Sequence, residues 1–423
     1  MTTQVLKHVV PLLGAALLTS STLVIAQAGS LDPTFGKGGI VTTTFGGQDT
    51  TVLNAAAIQS DGKILAAGLI PSGGTPEPGL ARYNIDGSLD STFGTGGVVT
   101  TNHNGGILGV TVLSDGKILA GGSGFLAVEA FRYNSNGSLD TTFGTNGIAS
   151  VRPFSPTAFD ASTGGLAVQT DGKILVAAGN ALVRFLSNGQ VDSSFGVGGV
   201  VPLLSSVTAI TLLSTGKILI ASSFNTLTPA ASGTIARYNS NGTLDTGFAR
   251  NGQTATVGPA SAIALLSTGQ FIVAGSFPTS VGTPPSPNSY GVALTRYNGN
   301  GSVDATFGSH GGVVTPFSGN TDAVAFALAV QSNGDIVAAG QTGSQAPDGP
   351  SSFALARFTA NGQLDTSFGR NGTVTTAFGS NTAFVFALLI QSDGKIVAVG
   401  NDEVISSGGS ITDSFALARY LSQ

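Results

Sequence analysis

One phrase recurs seven times along this chain, and it constrains the fold more than any other feature of the sequence. In its clearest form it reads GSLDSTFGTGGVVTT, followed by a run that ends in SDGKILA and another that ends in RYN. The Phe of its first part falls at Phe35, Phe93, Phe143, Phe195, Phe248, Phe307 and Phe368. Because the other two parts also occur seven times in the same order, the chain contains seven repeat units, spaced about 55 residues apart on average.

Each unit predicts four short strands. In the first unit these are an apolar run at Ala56–Ile58, then Ile64–Gly68, Leu80–Asn84 and Leu89–Thr100. The Asp-Gly dipeptide between the first two runs is a strong hairpin signal, because both central residues of a type I′ turn need a positive φ. Seven repeats of four antiparallel strands predict an all-β fold, a seven-bladed β-propeller.

The two ends of the repeat array complement each other. The array opens with a fourth-strand phrase at Leu31–Phe45 that has no strands before it, and it ends at Tyr420, just after a third strand. We therefore expect residues 31–45 to complete the last blade. Such a closure removes two exposed sheet edges that would otherwise favour aggregation.

Three of these phrases carry a family resemblance. LDPTFGKGGIVTT, QSDGKILAAG and ALARYNIDGSLDSTFG resemble the delta-60 repeat, a bacterial β-propeller repeat of uncharacterised function, over roughly residues 30–423. Thr215, Thr268 and Gln270 depart from the turn Asp and Lys of this repeat, and Ala249 departs from its Gly, so the blades that hold them are expected to be less regular. The resemblance implies a propeller and no catalytic residue.

The first 28 residues have the pattern of a secretory signal peptide. Lys7 and His8 precede an apolar stretch from Val9 to Ile25, and Ala26-Gln27-Ala28 fits the small-x-small cleavage rule. Residues 29–423 then form a single propeller domain that is exported to the periplasm or the extracellular space, with no transmembrane segment after processing. An uncleaved membrane anchor is the alternative.

Composition narrows the function classes. The chain has no Cys, which excludes disulfides and thiol chemistry. Only 9% of its residues are charged, as expected when blades pack face to face and bury both sides of their middle strands. A net charge of −5 argues against nucleic-acid binding. We expect a monomer.

The repeated polar residues are interpreted as structural. An Asp precedes each Phe anchor and follows its own Arg by eight residues, as Asp90 follows Arg82, which favours an Arg–carboxylate contact inside each blade over a metal site. The predicted innermost strands contain no acid and no His; their long polar side chains are Gln59, Gln169, Gln331 and Gln391. This argues against catalysis at the central channel. No catalytic residue, metal or cofactor is predicted.

The loops between second and third strands vary most between units, and they share one face with the connections between blades. Function on a regular scaffold usually lies in such loops. We therefore predict a non-catalytic scaffold that binds a protein or cell-envelope polymer through this face. The candidate binding residues are the aromatic residues Phe154, Phe159, Phe277 and Tyr290 and the acidic pair Asp402 and Glu403.

Acidic residues predominate on this predicted face, and their alternative roles are solubility or attraction of a cationic partner or calcium. Beside the Asp402 and Glu403 pair they are Asp49, Glu77, Glu129, Asp160, Asp322, Asp348 and Asp413, against the single Arg152.

The alternative function is a propeller hydrolase or lyase that uses loop residues. His103, in the loop after the first blade, is the residue that would act with a distant carboxylate. His310 is interpreted as an exposed, interchangeable position of the FGxxG turn, aligned with Lys37, Thr95, Asn146 and Arg370.

Overall fold

The protein is a ring of seven four-stranded antiparallel sheets, which confirms the predicted seven-bladed β-propeller. The computed structural model describes residues 27–45, 51–72, 75–124, 126–153, 164–223, 233–256, 258–280, 289–317, 322–343, 350–379, 382–405 and 411–423. The predicted signal peptide lies outside these residues apart from Gln27 and Ala28. In the described part of the chain, no helix is long and apolar enough to cross a membrane.

The blades are numbered in chain order, and each is listed from its innermost to its outermost strand. Blade one has β2 (Val52–Ile58), β3 (Ile64–Ser72), β4 (Thr75–Tyr83) and β5 (Val98–Thr100). Blade two has β6 (Gly105–Val112), β7 (Ile118–Gly124), β8 (Ala127–Tyr133) and β9 (Ile148–Val151). Blade three has β10 (Gly164–Val168), β11 (Ile174–Ala178), β12 (Ala181–Phe185) and β13 (Val200–Pro202).

The remaining blades follow the same plan. Blade four has β14 (Val207–Leu212), β15 (Ile218–Ser223), β16 (Gly233–Tyr238) and β17 (Gln253–Ala255). Blade five has β18 (Ala262–Leu265), β19 (Phe271–Ser280), β20 (Ser289–Tyr297) and β21 (Gly312–Thr315). Blade six has β22 (Asp322–Val330), β23 (Ile336–Gly343), β24 (Ser351–Phe358) and β25 (Thr373–Thr376). Blade seven has β26 (Thr382–Ile390), β27 (Ile396–Ile405), β28 (Ile411–Tyr420) and β1 (Ile40–Thr44).

Blade seven is built from both ends of the described chain, as the sequence predicted. Strand β1 pairs antiparallel with β28, with Ile40 opposite Ala418 and Thr44 opposite Ser414. In this blade no hairpin turn connects the third strand to the fourth. The two chain segments are instead joined by hydrogen bonds such as that from the Gly29 backbone N–H to the carbonyl of Leu421. The edges that an open array would expose are therefore paired.

The core is divided among the seven interfaces between adjacent blades, which are called seams below. Each of seven apolar clusters takes its residues from two neighbouring blades, including the seam at which blade seven meets blade one. Middle strands such as β11 and β12 are buried along their whole length. Burial on both faces explains why these strands need no polar alternation.

Strand lengths differ from the sequence prediction in two ways. The fourth strand of blade one is only Val98–Thr100, because Gly94, Gly96 and Gly97 adopt positive φ and coil the chain before it. The second and third strands are longer than predicted, and β3 and β4 continue to Ser72 and from Thr75. Long hairpins therefore replace much of the sequence predicted as loop.

Candidate binding face

The propeller has two faces with different chemistry. The turn face carries the tight turns between first and second strands and between third and fourth strands. The loop face carries the hairpin ends between second and third strands and the crossings from blade to blade. This division follows from the meander order of every sheet.

The Arg and Asp residues that recur in every repeat unit bind each other on the turn face. In all seven blades the anchor Asp accepts a hydrogen bond from the Nε of its Arg at 2.6–2.9 Å, as with Arg82 and Asp90 at 2.8 Å. Each guanidinium also lies 4.4–4.8 Å from the centre of an anchor Phe ring. The Arg–carboxylate interpretation of these residues is confirmed.

The same Arg residues tie each blade to the next. The Nη1 of Arg82 donates to the carbonyl of Ser135 in blade two, and that of Arg419 donates to the carbonyl of Ile85 in blade one. Equivalent bonds join the other five pairs of blades. These side chains are therefore committed to holding the ring together.

The anchor carboxylates are held in their charged form. Hydrogen bonds from Lys63 and Thr92 keep the pKa of Asp90 well below its ordinary value. Burial acts to raise the pKa of Asp32, but hydrogen bonds from Thr34 and Lys395 outweigh it and lower that pKa to about 2. Hydrogen bonds from Thr306 and Arg296 lower the pKa of Asp304 to about 2. Groups in this state cannot serve as general bases near neutral pH.

The predicted binding residues that the structure describes are divided between blades five and seven. Phe154 and Phe159 lie outside the described residues. Phe277 and Tyr290 are half-buried on the hairpin of β19 and β20 rather than in a loop, with Pro278 opposite Tyr290. The Tyr290 backbone N–H donates to Asp322 Oδ1 at 2.8 Å, which ties this hairpin to blade six.

Of the acidic residues predicted for this face, Asp49, Asp160 and Asp348 lie outside the described residues, whereas Glu129, Asp402 and Asp413 are more buried than a solubilising role requires. Asp402 is 5% exposed and Asp413 is 8% exposed, and both lie on the strands of blade seven with Glu403. Glu403 is paired with Asp413 across the two strands. Burial, followed by the charges of Asp413 and Asp402, raises the pKa of Glu403, and burial raises that of Asp413.

His103 does meet a carboxylate. Its Nε2 lies 2.9 Å from the carboxylate of Glu129 in blade two, whose side chain is nearly fully buried, whereas the imidazole is about one-third exposed. Ser150 Oγ donates to Glu129 Oε1 at 3.1 Å. His310 instead occupies a turn position with φ of 56°. That position corresponds to Gly38 and Asn146, so the predicted alignment with Lys37, Thr95 and Arg370 is shifted by one residue.

Three aromatic side chains escaped the sequence analysis. Phe326 on β22 and Phe386 on β26 stand at β-bulges of the innermost strands, and their ring centres are 5.7 Å apart across the seam of blades six and seven. Phe384 lies 6.1 Å from Phe386. All three are half-buried. Bulges redirect side chains and are enriched near functional sites. The available sequence signal was the Phe at the fourth position of both AVAFALAV and AFVFALLI.

No metal centre is apparent in the described ranges: no three His, Cys, Asp or Glu side chains come together in a way that could hold an ion.

Comparison with known proteins supports the repeat. The family described as "Domain of unknown function (DUF5122) beta-propeller" matches residues 59–93, 113–143, 169–195, 213–248 and 331–368. These matches along the chain are consistent with a propeller repeat family. A comparison with curated proteins gave no match.

Several solved structures are similar to this chain at low sequence identity. A catalytically inactive virginiamycin B lyase from Staphylococcus aureus, solved with quinupristin, is 13% identical with a TM-score of 0.51, and the match covers 90% of this chain and 98% of that one. Sqt1 from Chaetomium thermophilum is 12% identical with a TM-score of 0.48, covering 91% and 100%. The polysaccharide lyase Uly1 is 11% identical with a TM-score of 0.46, covering 88% and 90%. At these identities the likeness concerns the fold alone.

Proposed function

We propose that this protein is an exported, non-catalytic scaffold of the delta-60 repeat type that binds a protein or cell-envelope polymer through its loop face. The anchor Arg and Asp side chains of the turn face are engaged in holding the ring, so they are not the groups that we assign to a partner. The exported location follows from the predicted signal peptide.

The aromatic cluster carries this proposal. Phe384 lies in the half of β26 that is nearer the loop face, whereas Phe326 and Phe386 are the central residues of β22 and β26, and all three side chains remain partly exposed on hydrogen-bonded strands. Aromatic side chains on a rigid support are frequent binding anchors because they bury much apolar area at little entropic cost. Glu403 and Asp413 lie on blade seven, as do Phe384 and Phe386, and they add negative charge that favours a partner with basic groups at the rim.

The test is a pull-down from cell-envelope and secreted fractions with the mature protein and the double variant Phe326→Ser, Phe386→Ser. A matched control replaces two exposed apolar residues away from the loop face, Val197→Ser and Val303→Ser, which are 69% and 44% exposed. The proposal expects a partner retained by the parent and the control and lost by the double variant. Equal retention by all three, with circular dichroism showing them folded, contradicts the assignment of this face.

A second variant tests the longest hairpin. Shortening residues 276–291 to a Gly-Asn turn removes Phe277 and Tyr290 while leaving the aromatic cluster in place. Loss of the partner in this variant alone transfers the binding site from the innermost strands to the rim of blade five.

A hydrolase or lyase is the second candidate, and the contact of His103 with Glu129 favours it. A buried carboxylate that holds one nitrogen of an exposed imidazole leaves the other nitrogen available as a general base. Ser150 bonds to Glu129 rather than to His103, so such a base would activate a water or a substrate hydroxyl. Activity toward ester and polysaccharide substrates that is lost in His103→Gln but kept in His310→Gln would support this candidate, and equal activity of both variants would exclude His103.

A further inference from the structure

The turn between the third and fourth strands has the same hydrogen bonds in blades one to six. In blade one the Gly87 backbone N–H donates to the carbonyl of Asn84 at 2.9 Å, and the Asn84 N–H donates to the carbonyl of Ser88 at 2.8 Å. Asp86, the third of these five residues, accepts a hydrogen bond on its carbonyl from the Gly36 N–H of blade seven at 2.7 Å. The equivalent acceptors in blades two to six are the carbonyls of Asn136, Asn188, Asn241, Asn300 and Asn361.

Blade seven has no continuous turn here, but two chain segments reproduce its hydrogen bonds. The Leu421 N–H donates to the carbonyl of Ser30 at 2.9 Å, and the Gly29 N–H donates to the carbonyl of Leu421 at 2.8 Å. The carbonyl of Ser422 accepts from Arg357 Nη1 at 2.7 Å, as the second residue of the turn does in the other blades. Leu421 and Ser422 therefore hold the first two turn positions, and Gly29 and Ser30 hold the last two.

The third position of this turn can be filled from either segment. It is held by Gln423 when the chain is followed onward from Ser422, and by Ala28 when it is followed back from Gly29. In the structure Ala28 holds it, because its carbonyl accepts the hydrogen bond from the Gly369 N–H at 2.7 Å. Ala28 is 8% exposed, and Gln423 lines the same cavity between blades six and seven. Two residues thus compete for one position.

The predicted cleavage after Ala28 removes one of these competitors. The Gly369 N–H then loses its acceptor, whereas Gly29 can keep its hydrogen bond to Leu421 through the new α-ammonium group. A backbone donor without an acceptor is costly. Gln423 follows directly on Ser422, whose carbonyl Arg357 already holds in its turn position. Only Gln423 has to move in order to supply the missing carbonyl.

We propose that signal-peptide cleavage exchanges the residue at this position, so that in the mature protein the carbonyl of Gln423 accepts the hydrogen bond from the Gly369 N–H. Leu421, Ser422 and Gln423 then join Gly29 and Ser30 in a complete five-residue turn from which only one peptide bond is missing. This inference rests on the predicted signal peptide, and it is independent of the partner proposed for the loop face.

The test compares four proteins that are released from a fusion with no residue left behind. They begin at Gly29 or at Gln27, each with and without Gln423. Deleting Gln423 should lower the melting temperature of the Gly29 form by about 1–4 °C, because a backbone donor loses its acceptor. In the Gln27 form the loss should be below about 1 °C, because Ala28 supplies the carbonyl. Equal losses in both forms, or no loss in either, overturn the proposal.

Hydrogen exchange at single amides gives a local measurement on the same four proteins. The Gly369 amide should exchange about tenfold or more faster after deletion of Gln423, in the Gly29 form only. The control is the Gly308 amide, which donates to Asn361 within a continuous turn and should be unchanged in all four. A Gly369 amide that exchanges equally in both Gly29 forms refutes the exchange of acceptors.

A circular chain tests the register without any deletion. Joining Gln423 directly to Gly29 supplies the missing peptide bond, so this circle should fold and should melt above a circle that retains Gln27 and Ala28, in which two extra residues enlarge the turn. A direct circle that melts below the enlarged one contradicts the proposed register. N-terminal sequencing of the exported protein tests the cleavage separately: a start at Gly29 is expected, and retention of Ala28 overturns the proposal.

Discussion

Replacing Asp32 by Asn tests the contact at which the two ends of the fold meet. Asp32 Oδ2 accepts a hydrogen bond from Arg419 Nε at 2.9 Å and lies 3.2 Å from Lys395 Nζ, while Oδ1 accepts from Thr34. The Asp32 and Arg419 side chains are each 3% exposed. An amide keeps the bond to Thr34 but turns an NH₂ donor toward two cations, so the guanidinium stays buried without a counter-charge.

The magnitude follows from this burial. Removing one partner of a buried ion pair costs about 3–5 kcal/mol. For a folded chain of roughly 400 residues, the unfolding entropy is about 0.8 kcal/mol/K, so the melting temperature of Asp32→Asn should fall by about 4–6 °C. Thermal unfolding followed by circular dichroism at pH 7 measures the change.

The control uses the same lysine. Asp393 lies 3.1 Å from Lys395 Nζ, but its side chain is 51% exposed. An exposed pair contributes about 0–1 kcal/mol, so Asp393→Asn should shift the melting temperature by about 1 °C or less. A loss in Asp32→Asn no larger than that in Asp393→Asn would refute the claim that this buried pair stabilises ring closure.

Three further predictions concern the same ring. The folded-state pKa values of Asp32 and Asp304 are lowered to about 2. The stability that these two carboxylates contribute is therefore fully present above their unfolded-state pKa, near 4, and is lost as the pH falls toward 2. Melting temperatures that stay level from pH 5 to pH 2.5 would contradict this. Deleting residues 29–45 should give an unstable or aggregating product, because it exposes the edge of β28. A deletion variant that elutes like the parent in size-exclusion chromatography and has the parent's melting temperature would rule this out. Gly29→Ala should lower the melting temperature more than Gly38→Ala, because both glycines have positive φ but an added Cβ lies 2.7 Å from the Gly369 nitrogen only at Gly29.

The fold was predictable because its information is local and repeated. The turn dipeptide at Asp61-Gly62 and the eight-residue spacing of Arg82 and Asp90 lie within a single blade, so each copy of the phrase reports the same contact. The complementary ends of the array, Leu31–Phe45 and Tyr420, were readable for the same reason: a missing strand at one end matched a spare one at the other.

The candidate sites were less predictable because they depend on departures from the repeat and on neighbouring blades. Asp402 was predicted in a variable loop, but β27 extends through it and buries it. Phe326 and Phe386 meet because two bulges redirect them toward each other across a seam, which a single strand sequence does not reveal.

By itself, the sequence determined the number of blades, the closure of the ring and the pairing of each anchor Asp with its Arg, since contacts within one unit recur at constant spacing. The tertiary structure alone decided that His103 meets Glu129, 26 residues away, and that Phe326 lies beside Phe386 across the seam of blades six and seven. Those groups approach each other through the packing of different strands and blades, and that packing sets distances and burial that residue spacing does not encode.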